Sequence, residues 1–355
     1  MKDDISIFIA DEEIGIVEAM KLIDKNSKGI LYIAKNGKLA GSLTDGDIRR
    51  YIIKGGEISS LARQAMNCNT KYVTEADISN APALMKKFFI YSVPVIDDDR
   101  RIVDIVFSEA RKGIRDKTDA LKDTPVIIMA GGKGTRLYPY TKILPKPLIP
   151  IGEVPILERI MNRFADFGVR DFILTLNYKK EIIKSYFNEL SPDYGITYVE
   201  EDKPLGTAGS IRLIKKQFDS PVIITNCDII INTDYEKILE SHISSGNAMT
   251  IVSSLKNIAI PYGVLHSSKD GSVLSMEEKP KLSYLINTGM YVLDPRYIDI
   301  IPKNEPYDMP ALAQQLIGMG LRVGMYPISE SAFLDMGEFE EMKKMEERIS
   351  RGDSV

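Results

Sequence analysis

Histidine and cysteine are scarce: the 355 residues hold two of each. His242 and His266 are too few to expect a zinc centre built on imidazoles. Cys68 and Cys227 have no Cys-x-x-Cys partner and are expected as free thiols in a reducing cytoplasm. No apolar run approaches the ~20 residues of a membrane span, and the opening MKDDISIF lacks the basic–apolar–small pattern of a secretory leader. A cytoplasmic location is the expectation. The formal net charge is −4, so no overall basic field recruits nucleic acid or an anionic membrane, and neither is an expected partner. Catalysis is left to Asp, Glu, Lys and Arg, which favours Mg²⁺–phosphate chemistry over a nucleophilic triad.

The most informative stretch is MAGGKGTRLYPYTKILPKP, Met129 to Pro147. It follows Pro125-Val126-Ile127-Ile128, which reads as a buried parallel-type strand. Gly131, Gly132 and Gly134 permit a tight turn whose backbone N–H groups converge, and such a nest suits phosphate oxygens. Thr135 and Arg136 follow; the guanidinium is a planar, permanent fork for phosphate. Lys146 adds a point charge on backbone fixed by Pro145 and Pro147. A nucleoside triphosphate is the ligand this implies. Two other glycine loops fail on register: Lys133 precedes Gly134-Thr135, against a Walker A loop, and Leu137 stands where a dinucleotide fingerprint needs its third glycine.

GGKGTRLYPYTKILPKPLIPIG resembles the signature of the sugar-phosphate nucleotidyltransferases, or nucleotide-sugar pyrophosphorylases. The resemblance runs from about Thr124 to about Ile349, and what precedes it resembles a pair of cystathionine-β-synthase-type (CBS) repeats. The expected class is therefore α/β: tandem CBS repeats over 1–118, a linker over 119–123, and a Rossmann-like, mostly parallel-sheet transferase domain over 124–355. The charged run Arg111 to Asp123 fits a linker.

In the front segment, an amphipathic helix (Ile16, Ala19, Met20, Ile23) precedes a hairpin turning at Lys35-Asn36-Gly37-Lys38. A second unit repeats the outline: a helix over 81–89 and strands over 91–96 and 102–107. Ser42-x-Thr44-Asp45-Gly46-Asp47 resembles the ribose–phosphate motif of nucleotide-binding CBS repeats, which gives Thr44 and Asp47 a regulatory nucleotide. The competing reading is an N-cap with helix-favouring acids. The second repeat has Phe107-Ser108-Glu109-Ala110 at the corresponding place, so a site there is doubtful.

In the rear segment, strand and helix signals alternate as in an open parallel sheet. The resemblance assigns roles there. Glu201 to Gly209 is the loop packing under the nucleobase, with Gly206 giving it close access. Glu201 stands where thymidine and uridine enzymes carry Gln. A carboxylate accepts both guanine N1–H and N2–H, so GTP is the first choice, with a solvated loop acid as the alternative. Asp228, closing Asn226-Cys227-Asp228, and Asp335, in Phe333-Leu334-Asp335-Met336-Gly337, would hold Mg²⁺. Gly263 in Tyr262-Gly263-Val264, Glu278 and Lys279 before Pro280, and Asn287 and Thr288 in a turn with Gly289 would meet the sugar-1-phosphate. Val154 departs from the family, where a lysine commonly precedes that proline.

The resemblance implies nucleotidyl transfer to a sugar-1-phosphate by a homo-oligomer. CBS repeats ahead of the transferase, and the stretch PKNEPYDMPALAQQLI, resemble the glucosamine-1-phosphate guanylyltransferases; the mannose-1-phosphate guanylyltransferases are the close alternative. A nucleotide-sensing module with an idle transferase domain is the non-enzymatic alternative.

Overall fold

The computed structural model describes residues 5–26, 28–88, 90–108, 117–337 and 339–350. The chain divides into two units, Met1–Arg115 with Leu255–Tyr284, and Asp116–Ser254 with Leu285–Val355. Among the described residues no helix is long and apolar enough to cross a membrane.

In the first unit, helix Ile16–Lys25 buries Ile16, Ala19, Met20 and Ile23, the stripe that a 3.6-residue period dictates. Strand Ile30–Lys35 pairs antiparallel with Lys38–Thr44. Asn36 and Gly37, at φ 51° and 77°, make the turn between them, as a primed hairpin turn requires. Ile9–Asp11 adds a parallel strand. The second half repeats this: Val73–Thr74 runs parallel to Ser92–Ile96, which pairs antiparallel with Ile102–Phe107. Helix Ala81–Phe88 precedes that hairpin; Phe89, Glu109 and Ala110 lie outside the described residues. The internal repeat thus appears as two sheets of identical order and sense. Phe8, Tyr32 and Leu39 pack with Ile96 and Ile105, and the buried Tyr32 and Ser92 hydroxyls lie 2.7 Å apart. A further hairpin of this unit pairs Gly263–Ser267 with Val273–Glu278.

The second unit is built on a seven-stranded sheet. Val126–Met129 is buried throughout and runs parallel to both its neighbours, Asp171–Leu176 and Val222–Asn226. Strands covered on both faces read as continuous apolar runs, which is why this one was visible in the sequence. Gly195–Glu200 extends one edge in parallel. On the other side Lys281–Leu293 runs antiparallel to Val222–Asn226, followed by the parallel pair Met249–Ala259 and Val323–Ile328. Helix Ile156–Ala165 buries Ile156, Ile160 and Phe164, and Gly168, at φ 93°, lies just beyond its end. Helix Met309–Gly318 packs Met309, Leu312, Ala313 and Leu316 into the core with Ile127, Ile224 and Tyr291.

Two further features place the site. The strands ending at Met129 and Asn226 are adjacent and parallel, so their carboxyl ends open on one crevice, where α/β sheets bind ligands. Beside it a short ribbon pairs Ile229–Ile231 with Phe333–Asp335, setting Ile229 opposite Asp335. The charged stretch before Thr124 is anchored to this unit: Thr118 N donates to Asp166 O (2.9 Å), Leu121 N to Phe167 O (2.8 Å), and the Leu121 side chain is buried.

Candidate active site

The glycine loop leaves the sheet at Ala130, whose N–H donates to Thr175 O at 2.9 Å. Gly134 turns the chain at φ 63°, and a Cβ there would sit 2.9 Å from Thr141 Cγ2 and 3.0 Å from Lys146 Cβ. Only glycine satisfies both the left-handed backbone and that approach. One helical turn, Lys146–Leu148, follows Pro145, and Lys146 is only 8% exposed. Its ammonium pairs with the Asp228 carboxylate.

The ribbon brings Asp335 beside Asp228. Met336 N donates to Asp228 O at 2.8 Å, and Gly337 N to Asp335 Oδ1 at 2.7 Å. Burial raises the Asp335 carboxyl above its ordinary range and the Asp228 charge adds to this; the Gly337 N–H, Lys146 and Arg136 pull the other way. A Cβ on Gly337 would lie 3.4 Å from Arg136 Nη1, so the guanidinium reaches the same place. Two neighbouring carboxylates that repel each other are a donor set suited to a hard divalent cation. Among the described residues no group of three or more His, Cys, Asp or Glu could hold a metal ion. Phosphate oxygens and water would complete the shell, as Mg²⁺ commonly keeps them.

Two cavities meet here. One, about 370 Å³, is lined by Gly131, Gly132, Gly134, Thr135, Lys146, Glu201 and Gly206. The other, about 420 Å³, is lined by Asn287, Thr288, Tyr291, Asp308 and Asp335 among others. Arg136, Thr207, Asn226 and Asp228 line both. Every residue singled out above for the nucleotide faces the first cavity.

Glu201 is buried, at 6% exposure, and is no solvated loop acid. Its Oε2 accepts from Leu205 N at 2.9 Å and so folds the loop that carries Gly206. Burial raises its carboxyl above the ordinary range, opposed by that N–H. Gly206, at φ 74°, has no room for a side chain, since a Cβ would lie 2.8 Å from Tyr307 O. Thr207 N donates to Asp308 Oδ1 (3.0 Å), and Thr207 Oγ1 accepts from Met309 N (2.9 Å).

In the 420 Å³ cavity, Asn287 Nδ2 donates to Tyr291 OH (2.6 Å), and Thr288 Oγ1 to Val252 O (2.8 Å). Asn287-Thr288-Gly289 was expected as a turn but lies inside strand Lys281–Leu293. Gly289, at φ 89°, with its N–H bonded to Asn287 Oδ1 at 2.9 Å, makes a local kink without ending the strand. Gly263 and Glu278 lie at the ends of the first unit's hairpin and Lys279 just beyond it; Glu278 and Lys279 are exposed and 4.0 Å apart. Thr44 and Asp47 form a capping box: Asp47 N donates to Thr44 Oγ1 (3.3 Å) and Thr44 N to Asp47 Oδ2 (2.9 Å). Arg50 also pairs with Asp47 at 2.6 Å. Sequence reasoning assigned no role to Asn226, Thr207, Tyr291 or Asp308; only the nearness of the first two to Asp228 and Gly206 pointed at them.

The family model described as "Nucleotidyl transferase" matches residues 125–351. The chain belongs to that family. The model of the CBS domain matches residues 2–54. The mannose-1-phosphate guanyltransferase of Debaryomyces hansenii is 36% identical over 184 residues, 49% of this chain and 51% of that protein. A UTP–glucose-1-phosphate uridylyltransferase of Synechocystis is 31% identical over 215 residues, 55% of each. The chain thus spans about half the length of the curated relatives it matches. The crystal structure of HddC from Yersinia pseudotuberculosis is similar at 30% identity and a TM-score of 0.51, covering 64% of this chain and 99% of that one. Nucleotidyltransferases of this family use a divalent metal, which agrees with the paired acids.

Proposed function

We propose that the chain transfers a guanylyl group from GTP to a sugar-1-phosphate and releases pyrophosphate. The observation that carries this is the convergence of Lys146, Arg136, Asp228 and Asp335 where the two cavities meet. An oxygen of the sugar phosphate attacks the α-phosphorus, and the bond from that phosphorus to the bridging oxygen of pyrophosphate breaks. The attacking phosphate is already ionised, so no general base is needed and catalysis is positioning and charge neutralisation. Arg136 and the loop amides grip the outer phosphates and Lys146 the α-phosphate. Asp228 and Asp335 would hold Mg²⁺, which when bound neutralises phosphate charge. Glu201 supports guanine as the base.

For the sugar, relatives acting on mannose-1-phosphate support mannose. Asp308 supports glucosamine: it adds a third carboxylate to the 420 Å³ cavity, where an ammonium group is complementary. Pyrophosphate release is the test, with GTP, UTP, dTTP and ATP each offered glucosamine-, mannose- and glucose-1-phosphate. Release with GTP and one of the first two sugars is expected. No release from any pair would sink the reading and leave a nucleotide-sensing module.

A further inference from the structure

Among the described residues four line both cavities, and three of them are already engaged or charged. Arg136 is a cation beside Asp335, Asp228 is paired with Lys146, and Thr207 is tied to Asp308 and Met309. Asn226 is the fourth. It is the last residue of the Val222–Asn226 strand, opposite Met129, at the carboxyl edge of the sheet. Among the described residues its side-chain amide makes no hydrogen bond, although the polar groups around it are paired. Half-buried and lining both cavities, the amide is open to whatever ligand fills them.

The opposite strand makes room for it. Gly289 presses its bare Cα against Asn226; a Cβ there would run into Nδ2 and lie 3.0 Å from Cγ. The left-handed φ of 89° is thus joined to a close approach that only glycine permits. The kink inside strand Lys281–Leu293 and the free amide are one arrangement.

We propose that Asn226 is a further catalytic residue, donating from Nδ2 to the phosphate oxygens at the junction of the two cavities. The assignment rests on the guanylyl-transfer reading. A neutral donor adds no charge beside Lys146 and Arg136, and it meets the negative charge that builds on the transferring group. Its position between the cavities places it at the reacting phosphorus, away from the base and the sugar ring.

Steady-state pyrophosphate release by the full chain tests this, with Asn226→Ala and the isosteric Asn226→Asp. Removing one such donor should lower kcat about 100-fold, with KM for GTP and for the sugar-1-phosphate within about threefold and the melting temperature unchanged. Asn226→Asp, which sets a carboxylate against phosphates, should fall further still and, keeping the shape, should fold. A kcat within about fivefold of wild type in Asn226→Ala, or a rise in KM alone, would overturn the assignment while the guanylyl-transfer reading stands. A wild-type chain that releases no pyrophosphate overturns both.

Discussion

Two residues carry more than one duty, and their variants separate the duties. Lys146 neutralises the enclosed Asp228 and also lines the 370 Å³ cavity proposed to take the triphosphate. Lys146→Ala should lower turnover at least ~100-fold, as expected for losing one preorganised charge-stabilising group. It also leaves a shielded carboxylate without its counter-charge, a change that destabilises. The melting temperature should therefore drop, and a divalent cation should restore it in the variant by taking the place of the ammonium. Calorimetry with and without Mg²⁺ checks this; a variant with near-normal turnover would remove Lys146 from the mechanism.

Glu201 folds its loop through the Leu205 N–H and lines the 370 Å³ cavity. A carboxyl whose folded pKa is raised by burial holds its charged form at a cost, so this group destabilises the fold above that pKa. The cost fades as pH falls through the raised value and is absent below the ordinary carboxylate range. Glu201→Gln keeps an acceptor for Leu205 and removes the charge. It should melt higher than wild type at neutral pH, with the difference closing in acid. Its preference for GTP over UTP should shrink by about 1–3 kcal/mol, the worth of a bidentate base contact. A nucleotide panel reads that directly, and an unchanged preference would return Glu201 to loop architecture alone.

At the scale of elements, the glycine loop and the base loop are each held by chain that is distant in sequence. Gly206–Gly209 is stitched to Tyr307: Ala208 N and Gly209 N donate to Tyr307 O at 2.8 and 2.9 Å, and Tyr307 N to Leu205 O at 2.8 Å. Gly206→Ala must therefore pay in both backbone strain and displacement of Tyr307. About 1–3 kcal/mol of lost stability is expected from the strained φ alone, read by urea unfolding. A cost below a few tenths would mean the two segments part freely. The strands and helices that form the sheet were legible because burial on one stripe or on both faces imprints a period on the residues. Val126–Met129 and Ile156–Ala165 show this. The motif from Gly131 to Lys146 was legible for a different local reason: its glycines, arginine and lysine fall within one short window. Asn226, Asp308 and the placement of Asn287 were not. Asn226 and Asp308 take their meaning from pairings across sixty or more residues, with Gly289 and Thr207, and no window of the sequence contains both partners.

At the scale of the whole molecule, the expected homo-oligomer is checked by sedimentation of the full chain, and the expected regulation by truncation. The front unit shows the repeat, but Thr44 and Asp47 spend their polar atoms on each other and on Arg50. A nucleotide bound there would have to compete with that capping box. Two outcomes follow for the full chain titrated with AMP, ATP and GTP during turnover with a fixed substrate pair. If the box opens to a nucleotide, activity should shift by a coupling of about 1–3 kcal/mol. If it is only a cap, activity should be flat, and Thr44→Ala should cost about 1 kcal/mol of stability. The truncation that completes the test should begin at Lys117, ahead of Asp123, because Thr118 and Leu121 are bonded to Asp166 and Phe167. Cutting after them removes an anchor of the catalytic unit and would mimic a loss of regulation by loss of fold. The Lys117 fragment keeps every residue lining the two cavities, so it should release pyrophosphate and ignore the effector nucleotide. A fragment that still responds as the full chain does would place the responding site outside the repeats.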